Sequence, residues 1–320
     1  MGKIDLPTHI STSFRFIASI STFDYYKKDK LFSRNDKPSF NSKDERFVKL
    51  MVALPFLANK RAEFSLGYGQ LEDNYFQSSV IDFDKDRSDR STYKLLGGSI
   101  GFYGSTLNTR QYATKGYLEK LIAQVFTGRE RFEPGNPQEG YSPSPQERQS
   151  WLQISYMKEA YHTMGPKFTL GWMAEALYSS KNFSENYTAT MMQAGEFAPT
   201  PHSKLMYNEA FRANQYVAAG IKPIYVLNDM FQFRTEFYGF TPIFPIKKNA
   251  LNKAYYGKAF SRFEYMGEVS VICHLPFGAI SAYVNHYSSP RREWNVGLSI
   301  GFQPVSYTHL RAHETSAHLV

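Results

Sequence analysis

The most regular feature of the chain is an alternation of apolar and polar positions, which recurs in about twelve segments between residues 9 and 304. Each segment is close to the roughly ten residues that a tilted strand needs to cross a bilayer. In the last segment, Trp294, Val296, Leu298, Ile300 and Phe302 alternate with Asn295, Gly297, Ser299 and Gly301. The same period of two recurs upstream, with the charged residues on one face of each segment. The pattern predicts antiparallel strands that each have one apolar face and one polar face.

The links between these segments alternate in length. Long polar links cover residues 27–42, 73–91, 128–148, 179–210 and 243–258, and tight links cover residues 57–60, 162–167, 227–229 and 275–278. The link 104–115 is longer than this parity predicts, and the last hairpin, at residues 288–291, is shorter. Outer-membrane barrels have short periplasmic turns and long external loops, whereas a soluble sandwich has no reason to sort its loops. We therefore predict an all-β fold, a transmembrane antiparallel β-barrel in a Gram-negative outer membrane.

The composition agrees with this fold class and limits the kinds of partner that the chain is expected to contact. The longest apolar run, residues 52–58, is far too short for a spanning helix, and the 16% aromatic content suits the two interfacial girdles of a barrel. The net charge of +8 raises the possibility of nucleic-acid binding. We reject it because the basic residues lie in loops beside acids, as in residues 24–29 and 82–90. We expect these loops to face outer-membrane lipid and lipopolysaccharide.

The two ends of the chain depart from the strand pattern. Residues 1–8 have no charged region followed by an apolar region, so we interpret them as a truncated leader and expect the natural protein to extend upstream. Residues 9–305 form the predicted barrel. Residues 306–320 (SYTHLRAHETSAHLV) resemble translated sequencing-adapter read-through and are predicted to be a non-native tail. The His313, Glu314 and His318 near-motif in this tail has the wrong spacing for a helical zinc pair.

Several short runs carry a family resemblance. They are residues 211–216 (FRANQY), 219–225 (AGIKPIY), 233–238 (FRTEFY), 265–268 (YMGE) and 275–278 (LPFG). As a set they resemble the C-terminal barrel of bacterial patatin-like phospholipases, which is similar to the surface-antigen (D15, Omp85) type. The resemblance covers most of residues 9–303. It implies an N-terminal lipid acyl hydrolase domain in cis, outside this sequence, and assembly by the barrel assembly machinery.

The resemblance also implies a role for one loop. In the Omp85 group a long external loop enters the lumen with an Arg-Gly-aromatic tip, and about five of about sixteen strands follow it. Here the link 179–212 ends in Phe211 and Arg212, and about five segments follow, so about four strands of the family barrel are missing upstream. We expect them between the segments at residues 14–23 and 294–302. Arg212 is then the luminal plug candidate, paired with Glu236 or Glu268.

No catalytic residue is predicted in this chain. Residues 97–101 (GGSIG) match the serine elbow of the patatin family, but an elbow needs a strand, a sharp turn and a helix. The alternation continues through this run as one strand, with Ser99 facing inward, and the chain has no Asp-Gly pair that would supply the base. The sequence therefore predicts an inert Ser99.

No metal or cofactor is predicted either. The spacing of Asp82, Asp84 and Asp86 imitates a calcium loop, yet Arg87 stands at the glycine position and Tyr93 at the glutamate position. A charged external loop is the preferred interpretation.

Three hypotheses about function follow. The chain is the barrel of a patatin-like phospholipase that anchors or exports a lipid hydrolase, the barrel of an Omp85-type assembly or translocation factor, or a free-standing porin or adhesin. The first predicts a Gly-x-Ser-x-Gly elbow upstream, the second predicts tandem periplasmic domains upstream, and the third predicts a signal peptide and the missing strands only.

Overall fold

A computed structural model describes residues 2–5, 11–25, 41–77, 86–136, 148–276, 278–289 and 294–302. The strands in chain order are β1 (Gly2–Asp5), β2 (Ser11–Tyr25), β3 (Asn41–Leu57), β4 (Lys60–Tyr75), β5 (Asp89–Ser105), β6 (Gly116–Glu133), β7 (Gln149–Thr163), β8 (Phe168–Ser179), β9 (Gly195–Glu196), β10 (Arg212–Ala213), β11 (Gln215–Val226), β12 (Phe231–Pro242), β13 (Ile246–Lys248), β14 (Ala254–Tyr256), β15 (Glu264–Leu275), β16 (Gly278–Tyr287) and β17 (Trp294–Phe302). One α-helix, α1 (Tyr187–Gln193), and two 3₁₀ helices, Ser203–Leu205 and Glu209–Phe211, lie between β8 and β11.

Within these ranges one antiparallel sheet joins neighbours in chain order, from β1 through β8 to β11, β12, β15, β16 and β17. The strands β2 to β8, β11, β12 and β15 to β17 correspond to the predicted segments, which confirms the predicted fold class. Two small ribbons, β9 with β10 and β13 with β14, lie outside the sheet. The strand β6 is 18 residues long, so it exceeds the length that a membrane crossing requires.

The two faces of the sheet are inverted relative to a soluble protein. Apolar side chains cover the outside: Trp294, Val296 and Leu298 are 71%, 79% and 76% exposed. Charged side chains are buried on the inside, including Glu63 and Lys222. Large contiguous apolar surfaces indicate contact with a partner or a membrane. The outer face therefore contacts hydrocarbon, as the alternation predicts.

The turns on one side of the sheet are short, at residues 58–59, 164–167 and 227–230. They agree with the predicted tight links and define the periplasmic side. The link 106–115 between β5 and β6 is the exception that the sequence pattern predicted. The external loops are longer, and the loop at residues 180–214 folds into structure of its own.

The strand β1 pairs with β2 through Gly2 opposite Phe14 and Asp5 opposite Ser11. It lies within residues 1–8, which we interpreted as a truncated leader, and it extends the sheet beyond β2. Asp82, Asp84, parts of the external links (residues 26–40, 78–85, 137–147 and 290–293) and the predicted tail at residues 306–320 lie outside the described residues. In the part of the chain that the structure describes, no helix has the length and apolar character needed to cross a membrane.

Candidate functional site

The long loop at residues 180–214 folds against the interior of the barrel, and we call it the luminal loop. Its apolar side chains are buried: Ala189 and Met191 are 0% exposed and Phe197 is 1% exposed. Connecting loops normally run over the surface because their backbone groups need water. This loop instead satisfies its polar groups through contacts with inward-facing residues of the wall, so it fills the external half of the lumen.

The helix α1 of this loop is held by its N-cap. The Asn186 Oδ1 accepts from the Ala189 backbone N–H at 2.9 Å, which satisfies one of the free donors at the start of the helix. The Asn186 Nδ2 donates to the Tyr75 hydroxyl at 2.8 Å, and that hydroxyl lies 3.0 Å from the Ser91 Oγ. One side chain therefore starts the helix and joins it to β4 and β5.

An aromatic cluster anchors the rest of the loop on β11 and β12. The ring of Phe197 stacks on Phe240 at a centroid distance of 5.9 Å and meets Tyr216 and Tyr238 edge-on at 6.3 and 6.0 Å. Phe211 contacts Phe240 at 5.7 Å. Such pairs add to the free energy of burial, so this cluster is the apolar core between the loop and the wall.

Arg212 lies at the end of the luminal loop, buried under it. Its Nη2 is 2.7 Å from the Glu196 Oε2, and its Nη1 donates to the carbonyl oxygens of Met192 and Ala194 at 3.2 and 3.5 Å. Its guanidinium also lies 4.9 Å from the ring centre of Tyr207. Burial raises the pKa of Glu196, although the Arg212 charge acts in the opposite direction. The arginine therefore closes the loop on itself through one ion pair and two carbonyls.

Lys181 is a second buried cation of the luminal loop. Its ammonium group donates to the Gln193 Oε1 at 3.2 Å and lies 4.5 Å from the ring centre of Tyr93 and 5.0 Å from that of Trp151. Gln193 in turn donates to Asp73 on β4. Burial lowers the pKa of Lys181 to about 8, although the Asp73 carboxylate acts to raise it. The two aromatic faces and the hydrogen bond to Gln193 offset only part of the cost of burying this cation.

The structure gives Arg212 a different partner from the two predicted acids. Glu236, on β12, forms its ion pair with Arg234, with 3.0 Å between Nε and Oε1. Glu268, on β15, lies directly beside Glu236 in the strand register and is buried. The acid that pairs with Arg212 is Glu196, because the ribbon of β9 and β10 places the two residues opposite each other. The predicted pairing with Glu236 or Glu268 is therefore replaced by a pair within the loop.

The long link at residues 106–115 enters the lumen from the periplasmic end, and we call it the periplasmic strap. The Tyr112 hydroxyl is 2.7 Å from the Ser281 Oγ on β16, and the Arg234 Nη1 donates to the Ala113 carbonyl at 3.0 Å. Tyr112 has a positive φ of 53°, which is unfavourable for a residue with a side chain. The strap crosses from β5 and β6 to the opposite wall and is fixed there.

The inner wall also carries a buried ion pair that sequence reasoning missed. The Lys222 Nζ lies 2.8 Å from the Glu159 Oε2, and both side chains are largely buried. Their inward positions in the period-two pattern were the signal that could have identified them. Glu196 and Lys181 had no such signal, because they lie in the luminal loop, where Glu196 belongs only to the two-residue strand β9 and no period-two pattern exists.

Ser99 occupies the interior of β5, which runs without interruption through residues 97–101. Its Oγ is 2.6 Å from the Ser65 Oγ on β4. The prediction that this run is a strand and not a nucleophile elbow is confirmed. Asp86, the described member of the predicted charged loop, accepts a hydrogen bond from Asn136 at 3.2 Å.

These features define the class of the protein. An antiparallel sheet with an apolar outer face, a charged inner face, short periplasmic turns and long external loops is a transmembrane β-barrel of the bacterial outer membrane. Comparison with models of known families gives no match, and comparison with curated proteins gives none.

Comparison with solved structures supports the same fold. BamA from Haemophilus ducreyi lacking POTRA domains 1–3 aligns with a TM-score of 0.54 at 11% identity, over 90% of this chain and 57% of that chain. This chain thus spans little more than half of that structure. The β domain of the Bordetella autotransporter BrkA aligns over 90% of this chain and 95% of that one, at 10% identity, but its TM-score of 0.36 carries no argument.

Proposed function

We propose that the chain is the membrane barrel of a patatin-like phospholipase of the Omp85 type, and that it anchors a lipid acyl hydrolase domain in cis. The runs that resemble this family lie on consecutive elements of the second half of the barrel. Residues 211–216 cover the base of the luminal loop and the start of β11, residues 233–238 lie on β12, and residues 265–268 lie on β15. These runs include the buried charged residues Arg212, Arg234 and Glu268, so the resemblance is concentrated in the polar interior of the barrel.

The observation that carries the proposal is the placement of the luminal loop. Five strands of the sheet follow it, which is the number that the family resemblance implied, and Arg212 lies at its base. The departure from the family tip is Ala213 and Asn214, where the family has glycine and an aromatic residue. Asn214 instead donates to the Lys181 carbonyl at 3.3 Å and to the Tyr256 hydroxyl at 3.0 Å. We propose that Arg212 and Asn214 together hold the loop in the lumen.

The chemistry of acyl hydrolysis belongs to the other domain in this proposal. A serine nucleophile needs a base within hydrogen-bond reach, and the described partner of Ser99 is the hydroxyl of Ser65. The barrel supplies membrane attachment, and it places the hydrolase beside phospholipid. An Omp85-type assembly factor is the second candidate, favoured by the fold likeness to BamA.

A free-standing open porin is less consistent with the interior. The luminal loop covers the external half of the lumen, and the periplasmic strap reaches across the other end through Tyr112 and Ala113. Both segments are fixed to the wall by several polar contacts each. A pore that is open at all times would require both segments to lie elsewhere.

The test is the coding sequence upstream of Met1, together with an assay of the product. The proposal expects a Gly-x-Ser-x-Gly elbow and an Asp-Gly motif in that region, and release of fatty acid from phospholipid vesicles by the full-length protein. Tandem periplasmic domains in place of the elbow would support the assembly factor instead. Ser99→Ala in the full-length protein is expected to leave hydrolysis unchanged. Loss of hydrolysis in this variant would overturn the assignment of the chemistry to the hydrolase domain.

A further inference from the structure

The outer wall of the barrel carries a groove at the external ends of β4, β5 and β6. Its volume is about 850 Å³. Its lining contains two acids, Glu130 and Glu133, and five cations, which are Arg90, Lys94, Arg129, Arg131 and Arg148. The five cations lie on the outward face of the sheet, away from the charges of the lumen, so they cannot pair with luminal acids.

The strand register places these cations in one layer. Lys94 on β5 lies directly opposite Arg129 on β6. One step toward the membrane, Leu96 lies opposite Thr127 on one side and opposite Tyr68 on the other. Leu96 and Tyr68 are 43% and 53% exposed. A basic layer therefore lies immediately above the apolar band of the outer face.

Like charges directly opposite each other on neighbouring strands are destabilising. Arg131 forms an ion pair with Glu133 at 2.8 Å, and Arg90 forms one with Glu72 at 3.3 Å. In the described part of the chain, Lys94 forms no ion pair with an acid, and the same holds for Arg129. An anion between these two cations would remove their repulsion.

The position of the groove relative to the membrane indicates which kind of anion binds there. The long loops mark this end of the strands as the external one, so the groove lies at the level of the outer leaflet headgroups. A lipid whose phosphate lies between Lys94 and Arg129 would place its acyl chains against Tyr68 and Leu96. Arg148 adds a further cation at the edge, held by a hydrogen bond from its Nε to the Thr127 Oγ1 at 3.0 Å. A soluble anion would make no use of the exposed apolar side chains.

We propose that this groove binds a phosphorylated glycolipid of the outer leaflet, the lipid A portion of lipopolysaccharide, with one phosphate between Lys94 and Arg129 and acyl chains over Leu96 and Tyr68. Guanidinium and ammonium groups form strong charge-assisted hydrogen bonds with phosphate. The site lies on the outer wall, so it is independent of the function proposed for the lumen and of any further domain.

Native mass spectrometry of the detergent-solubilised protein with bisphosphorylated lipid A tests this site. The double variant Lys94→Gln with Arg129→Gln is expected to bind lipid A at least about tenfold more weakly, because two charge-assisted contacts to phosphate are lost. The matched control is Arg110→Gln with Lys167→Gln, which removes the same two charges from exposed periplasmic positions. The control is expected to bind as the wild type does.

Two further arms separate the possible ligands. Lipid A from which both phosphates have been removed is expected to bind no more tightly to the wild type than to the double variant. Inorganic phosphate at equal concentration is expected not to displace lipid A. Equal binding of lipid A by wild type and double variant, equal binding of the dephosphorylated lipid, or displacement by free phosphate would each overturn the proposal. Circular dichroism in the same detergent confirms that the compared variants are folded.

Discussion

Arg212 and Glu196 lie opposite each other on the two strands of the β9 and β10 ribbon, with 2.7 Å between Nη2 and Oε2. This pair joins the base of the luminal loop to a point near its middle. The intervening residues 197–211 carry the aromatic side chains that contact the wall, Phe197 and Phe211 among them. The ion pair therefore holds the docked shape of the loop, and the aromatic cluster holds its position.

Replacing Arg212 tests whether this pair keeps the lumen closed. Arg212→Ala leaves the Glu196 carboxylate and two carbonyls without their cation, which costs about 3 kcal/mol of docking free energy. We expect the loop to leave the lumen roughly a hundredfold more often than in the wild type. Single-channel recording in planar bilayers measures this as openings of the pore.

The control for that variant is Lys204→Ala, which removes a charge from an exposed position of the same loop. It is expected to keep the wild-type current. If Arg212→Ala also keeps the wild-type current, the arginine does not hold the loop in place.

The pKa of Lys181 gives the closed state a dependence on pH. In the docked loop burial lowers this pKa to about 8, whereas the ordinary value is 10.5. Between these two pH values the undocked loop binds more protons, so docking becomes more favourable as the pH rises through this window. The gain reaches about 3 kcal/mol. We expect fewer channel openings near the upper end of the window than near pH 8.

The variant Lys181→Met provides the comparison for the pH effect. Methionine is unbranched and only one atom shorter than lysine but has no titrating group, so the opening frequency is expected to be low and constant over this pH range. A wild-type opening frequency that does not change with pH, or a variant that retains the change, would contradict the assignment to Lys181.

The N-cap of α1 is expected to control the local stability of the luminal loop. Asn186→Ala removes the bond to the Ala189 N–H and the bond to the Tyr75 hydroxyl, at a cost of about 2 kcal/mol. Hydrogen exchange followed by mass spectrometry should show faster exchange, by roughly tenfold or more, in peptides that cover α1. Asn182→Ala, at an exposed position of the same loop, should leave the exchange unchanged. Unchanged protection in Asn186→Ala would show that the cap is dispensable.

The periplasmic strap is expected to loosen when one hydroxyl is removed. Tyr112→Phe loses the hydrogen bond to Ser281 and keeps the ring, which costs about 1 kcal/mol. Trypsin added to the detergent-solubilised protein should then cleave after the exposed Arg110 about fivefold faster. Tyr255→Phe is the matched control, because Tyr255 lies exposed on β14. Equal cleavage rates in the two variants would mean that the hydroxyl does not fix the strap.

The strands were predictable because their environment repeats. Hydrocarbon on one side and a polar interior on the other impose a period of two, and that period is visible in residues 294–302 without any knowledge of their neighbours. The positions of the turns were predictable as well, because a turn begins where the alternation of a strand ends. The exceptional link 106–115 was detectable as an anomaly, although its destination across the lumen was not.

The pairing of Arg212 was not predictable. The resemblance suggested an inward acid on the wall, yet the partner is Glu196, which comes from a loop that has no periodic signal. The fold of the loop also depends on its contacts with the wall. One example is the hydrogen bond from Asn186 to Tyr75, two residues that are far apart in the chain. Such contacts form only when the wall and the loop are both in place.

The sequence by itself determined which side chains face hydrocarbon, where the twelve long strands lie and which side the long loops occupy, since each of these follows from local alternation and length. Only the tertiary structure decided how the lumen is filled and where cations meet on the outer wall. Those features depend on the register between strands, which sets Lys94 beside Arg129, and on long-range contacts of the loop, which bring Lys181 to Trp151. Neither the register between strands nor the docking of the luminal loop can be predicted from a short stretch of the chain.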